Sequence, residues 1–153
     1  MWVFCKTMKI IIGVLFFIFL LNPCFSQTAS IDLELDTTIF NNRHGNIYTS
    51  DSIDADVTCM FMPFGFEKAK QGFEHESNPS IKVLDMVELD SIDRRVLFKK
   101  GELEQPNNNL IIEGYLIEYK TEQTLMVIAK YLKKDSEIIG NQIEVAIRNL
   151  KLN

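Results

Sequence analysis

The chain has 153 residues, 46% of them apolar, with 16 Lys and Arg against 21 Asp and Glu, a net charge of −5. That apolar content excludes a disordered chain, and the acidic balance excludes an electrostatic nucleic-acid binder, which needs clustered cations to displace counterions from phosphates. The length suits one domain with a single core.

The N-terminus has the three parts of a secretory signal. Lys6 and Lys9 supply positive charge, Ile10 to Leu21 is an uncharged apolar run, and Asn22-Pro23 breaks any helix before the small residues Cys24 and Ser26. The run is too short for a membrane span of about 20 residues. Pro23 before Cys24 argues against a lipid-modified cysteine. The expectation is cleavage after Ser26, leaving residues 27–153 as one domain with no stable membrane insertion. Of the three cysteines only Cys59 then remains, so no internal disulfide forms. Asn78-Pro79-Ser80 is blocked as a glycosylation acceptor by its proline. A signal without disulfides or acceptors fits bacterial export, to the periplasm or the medium.

Ile31 to Asp36 alternates strictly and predicts a half-buried strand. Asn41 to Asn46 is turn chemistry. Ile53, Ala55, Val57, Cys59 and Phe61 repeat at period two and predict a strand that ends at Pro63, which cannot donate to a ladder. Glu67 to Phe73 fits either a helical turn or a loop. Ile81 to Leu89 reads as a strand, and Asp90 or Ser91 as the cap of a short helix reaching Phe98. Leu110 to Lys120 and Thr124 to Lys133 predict an antiparallel hairpin, apolar on both faces and therefore central. Asp135 or Ser136 caps a final helix with an apolar stripe of Ile139, Ile143, Ala146, Ile147 and Leu150. Glu137 and Arg148 suit the two ends of its dipole. Strands and a closing helix in one core make an α+β sandwich.

Met62-Pro63-Phe64-Gly65-Phe66, then Gly72-Phe73, then Ser80-Ile81-Lys82-Val83 resembles the opening of PsbP-like proteins, relatives of an extrinsic photosystem II subunit. The likeness covers about Val57 to Leu150 and is mostly one of element order. It implies an antiparallel sheet with helices on both faces, an α/β/α sandwich, and no particular activity. The chain departs from the pattern at Asp90 to Lys100, short for the usual long helix, and at the polar insert Asn107 to Asn109.

Few residues point to chemistry. Cys59 sits on the apolar side of its strand, where a thiol is inert. There is no nucleophile elbow, phosphate loop or Cys-x-x-Cys pair. His44 lies in a turn. His75, between Glu74 and Glu76, offers a metal set only if a loop curls around the ion, and otherwise a solvated ring. Asp51, Asp54 and Asp56 read as a solvated row that protects a sheet edge, against a weak divalent site lacking its glycine. No catalytic residue, metal ligand or cofactor is assigned. Met62, Phe64 and Phe66 are the candidate binding residues. They are either core and a plug over the sheet end, or an adaptable lip for a protein partner or apolar small molecule.

These readings favour a secreted or periplasmic, non-enzymatic binding or accessory protein of the bacterial envelope. The alternative is a hydrolase-type enzyme with a dispersed site, in which His75, Glu74 or Glu76 faces a pocket.

Overall fold

A computed structural model describes residues 31–76, 78–90 and 94–152; the expected signal segment and the expected cleavage after Ser26 lie outside them. Among the described residues there are seven strands: β1 (Asn42–His44), β2 (Ile47–Thr49), β3 (Ala55–Met62), β4 (Ile81–Asp90), β5 (Arg95–Leu103), β6 (Leu110–Lys120) and β7 (Gln123–Leu132). They form one sheet in the order β1-β2-β3-β7-β6-β5-β4, with every neighbouring pair antiparallel. Helix α1 (Phe66–His75) follows β3, and helix α2 (Ser136–Asn149) closes the fold. The helices cover opposite faces, so the expected α+β sandwich is the architecture observed.

The β6–β7 hairpin is central, as its two apolar faces require. Leu125, Val127, Ala129 and Tyr131 face α2, and Met126 and Ile128 face α1. Its turn is tighter than the spacing suggests, because Lys120 pairs with Gln123 and only Thr121 and Glu122 remain between the strands. On the α2 side, Ile139, Ile143, Ala146 and Leu150 are buried against Val57, Cys59, Val127 and Tyr131. Asp135 stands at the helix start but makes no side-chain cap, since its backbone (φ −98°, ψ 6°) is outside the extended range a capping residue uses.

On the other face α1 settles the ambiguity of Glu67 to Phe73 in favour of a helix. Phe66, Ala69 and Phe73 form one buried stripe against Leu97, Leu116 and Met126.

Three expectations need correction. Ile31 to Asp36 alternates between buried and exposed as expected, but it is no strand. Side chains take the place of a ladder: the Leu33 amide donates to Tyr48 Oη at 3.0 Å, and that hydroxyl donates to the Ile31 carbonyl at 2.9 Å. Period two reports burial on one side, whatever satisfies the backbone. The helix expected from Asp90 to Phe98 is replaced from Arg95 by β5, and residues 91–93 lie outside the described ones. Val96 and Leu97 are buried on opposite faces between β4 and β6, and such two-sided burial favours a strand. Finally, Asp51 and Asp54 precede β3, and β3 lies between β2 and β7, so its one aspartate, Asp56, protects no edge. Asp56 instead pairs with Lys130 across the β3–β7 ladder at 2.5 Å. Among the described residues the sheet's edges are β1 and β4, and on β4 Val83, Leu84, Met86 and Val87 all meet solvent.

Candidate functional site

The segment from Met62 to Phe66 is tied down at each step. Met62 is the last β3 residue in the ladder, opposite Thr124. Thr124, itself fully buried, donates its hydroxyl to the Phe64 carbonyl at 2.8 Å. Gly65 then caps α1, its carbonyl accepting the Ala69 amide at 3.1 Å. Its backbone is ordinary extended geometry (φ −62°, ψ 160°), so conformational freedom is not why glycine stands there. A Cβ at this position would lie 2.4 Å from the Thr121 carbonyl oxygen. The missing side chain lets the start of α1 press onto the β6–β7 turn.

That close approach divides the three candidate residues. Phe66 is core at 3% exposure, and Met62 packs half-buried beside it. Phe64 alone of the three points out, at 37%. It borders an open groove of about 980 Å³ at the end of the sheet, which also includes Glu67, Arg94, Arg95, Tyr119 and Lys120.

Arg95 organises one wall. Its Nε and Nη2 donate to the two Glu118 carboxylate oxygens at 3.2 and 3.0 Å, and its Nη1 donates to Glu67 in the first turn of α1. The guanidinium lies over the Phe66 ring, 4.5 Å from its centroid. The Arg95 hydrogen bonds hold the Glu118 carboxyl below the ordinary carboxylate range, and the two carboxylates raise the guanidinium further. Arg95 is thus spent on fastening α1 to β5 and β6. The other cations are disposed differently. Lys68 lies over the Phe64 ring and Lys120 over the Tyr119 ring, each 4.6 Å from the centroid. Among the described residues, Lys68, Arg94 and Lys120 have no carboxylate partner.

The residues of the enzymatic alternative do not converge on this groove. His75, Glu74 and Glu76 are exposed at the far end of α1, about 15 Å of helix away. His44 is exposed on β1. Cys59 is buried, and burial pushes its thiol up to about 12, far from a thiolate at neutral pH. Among the described residues no three His, Cys, Asp or Glu side chains cluster as a metal site.

Arg94, Arg95, Lys68, Tyr119 and Lys120 escaped the sequence reading. In the sequence the Arg pair falls within the expected helix to Phe98, and Tyr119-Lys120 at an ordinary strand end. Lys68 reaches Phe64 locally along α1, but the others come beside it only through the sheet, where β3 pairs with β7, β7 with β6 and β6 with β5. A second polar cluster was also missed. Glu113, at 2% exposure under α2, accepts hydrogen bonds from Tyr131 Oη (2.7 Å), Lys100 Nζ (2.9 Å) and Tyr115 Oη (3.2 Å). Burial, aided by the Glu113 carboxylate, keeps both tyrosines protonated.

No family model matches the chain, and no curated protein matches it. Among solved structures it is similar to PA94 of Pseudomonas aeruginosa, a protein of unknown function, with 11% identity and a TM-score of 0.53 over 71% of this chain and 82% of that one. It is also similar to LpqN of Mycobacterium tuberculosis, which is involved in cell envelope biogenesis, with 10% identity and a TM-score of 0.54 over 69% of this chain and 68% of that one. At such identities the likeness is one of fold. Among the described residues no helix is long and apolar enough to cross a membrane.

Proposed function

We propose that this is an exported, non-enzymatic binding or accessory protein of the bacterial envelope, and that it engages a protein partner through the groove at the sheet end. The observation that carries the reading is the pairing of an exposed Phe64 with cations left unneutralised, in a groove to which the histidines and the cysteine contribute nothing. The N-terminal signal pattern supports export, and the fold shared with LpqN, a protein of envelope biogenesis, supports the compartment. The PsbP-like relationship is part of the same proposal and rests on the order of elements from β3 to α2. An apolar small molecule fits less well, because such ligands are usually enclosed by mostly apolar walls.

The test has two arms. N-terminal sequencing of the exported protein is expected to begin at Gln27, and an intact Met1 in a membrane fraction overturns the export reading. A photo-crosslinking amino acid in place of Phe64 is expected to trap one discrete protein in cells, whereas the same group in place of Val145, exposed on α2, traps none. Equal labelling from both positions overturns the groove as a docking site.

A further inference from the structure

We infer that the partner presents an acidic, extended peptide segment to the groove, an inference that rests on the docking reading above and specifies the chemistry of what docks. Seven charged side chains line the groove: Glu67, Lys68, Arg94, Arg95, Glu118, Lys120 and Glu122. Arg95 is already committed to Glu118 and Glu67. That triad keeps one surplus negative charge, so the lining as a whole is four cations against three carboxylates, but among the described residues Lys68, Arg94 and Lys120 have no carboxylate partner. In a chain of net charge −5, this one concave place therefore has a slight positive excess and three cations open to a carboxylate.

Two features favour carboxylates on a peptide. Lys68 and Lys120 are held over aromatic rings rather than by acids, so they meet an incoming carboxylate without first breaking an ion pair. Phe64 and the Tyr119 ring, the latter packed on Phe61, border the same groove as those cations, so apolar and charged groups stand together for a chain in which acidic and apolar residues alternate. A nucleic acid or an anionic membrane would have to bring many phosphates against the acidic remainder of the surface, whereas a single strand need enter only the groove. An open trough also admits a strand more readily than it retains a small molecule.

The probe is a fluorescein-labelled octapeptide alternating Glu and Leu, compared with Gln–Leu and Lys–Leu counterparts, titrated by anisotropy against the full chain as cells process it. The acidic peptide is expected to bind, and to weaken by roughly tenfold between about 50 and 300 mM salt because the attraction is partly screened. The neutral and basic peptides are expected not to bind. Arg94→Glu and Lys120→Glu are each expected to weaken binding at least about tenfold without moving the melting temperature. Should a reversal disturb folding, Arg94→Gln and Lys120→Gln serve, with a smaller loss expected. Equal binding of the Gln–Leu peptide, or unchanged affinity in every folded variant, overturns the inference. If the acidic peptide fails while the crosslinker at position 64 still traps a protein, the docking reading stands and only the acidic partner falls. If both fail, the groove itself is not a docking site.

Discussion

The fate of Glu113 shows how far a single side chain departs from its usual habit. A carboxylate is rarely fully buried unless paired, and this one lies beneath α2 with two hydroxyls and an ammonium directed at it. Removing one partner of such a set leaves the others without compensation. Glu113→Ala is therefore expected to destabilise the fold by about 3–5 kcal/mol, mostly through the stranded Lys100 ammonium. Glu113→Gln, which retains the shape and two of the contacts, is expected to cost less, about 1–3 kcal/mol. Urea denaturation of the two variants checks the order, and a loss below about 1 kcal/mol for the alanine would mean that the cluster relaxes into water. Nothing in the sequence around Glu113 marks it as buried, because its neighbours Ile112 and Gly114 belong to the other face and its partners come from β5 and β7. Phe64 and Phe66 show the same limit in reverse. They are two residues apart in one motif, yet where Gly65 presses on Thr121 and α1 begins, one is left outward and the other lies in the core.

The helices and strands were readable to the extent that their burial is local and regular. Helix α2 is the clearest case, since its stripe repeats along one face and Ile139 and Ile143 are completely buried. Ile143→Ala is expected to cost about 2–4 kcal/mol, as large-to-small changes in packed cores do. A change under about 0.5 kcal/mol in urea melts would make the helix peripheral. The β6–β7 hairpin was readable for the same reason. β5 was not, because Arg94-Arg95-Val96-Leu97-Phe98 carries no alternation when both its faces are covered. Its state is decided by β4 and β6, which pair with it on either side. Ile31 to Asp36 fails in the opposite sense: the alternation is perfect, but Tyr48 and Asn46 satisfy its backbone in place of a strand. Half of the groove was hidden too, because Arg94 lies in the stretch misread as helix.

Considered as a molecule, the protein places its positive groove at one end of an otherwise acidic domain, and that location follows from how the sheet is assembled. The strand order contains two runs that follow the chain, β1-β2-β3 and β4-β5-β6-β7, and each run is a succession of neighbouring hairpins. They meet at a single seam, β3 against β7, and both Gly65 and Phe64 are fastened beside its end. Across that seam the Thr124–Phe64 hydrogen bond closes a separation of 60 residues. Local hairpins close cheaply, whereas a loop of that length loses more chain entropy before any contact rewards it. The four-strand run is thus expected to form first in folding, with the seam zipping late. Val57→Ala, at a fully buried seam position, should then accelerate unfolding while leaving the refolding rate nearly unchanged. Stopped-flow measurement with the variant is the check, and a refolding rate that falls in proportion to the lost stability would place the seam in the nucleus. If the seam is late, the groove is among the last parts of the protein to exist. A newly made chain would then have a formed sheet before the groove beside Phe64 took shape.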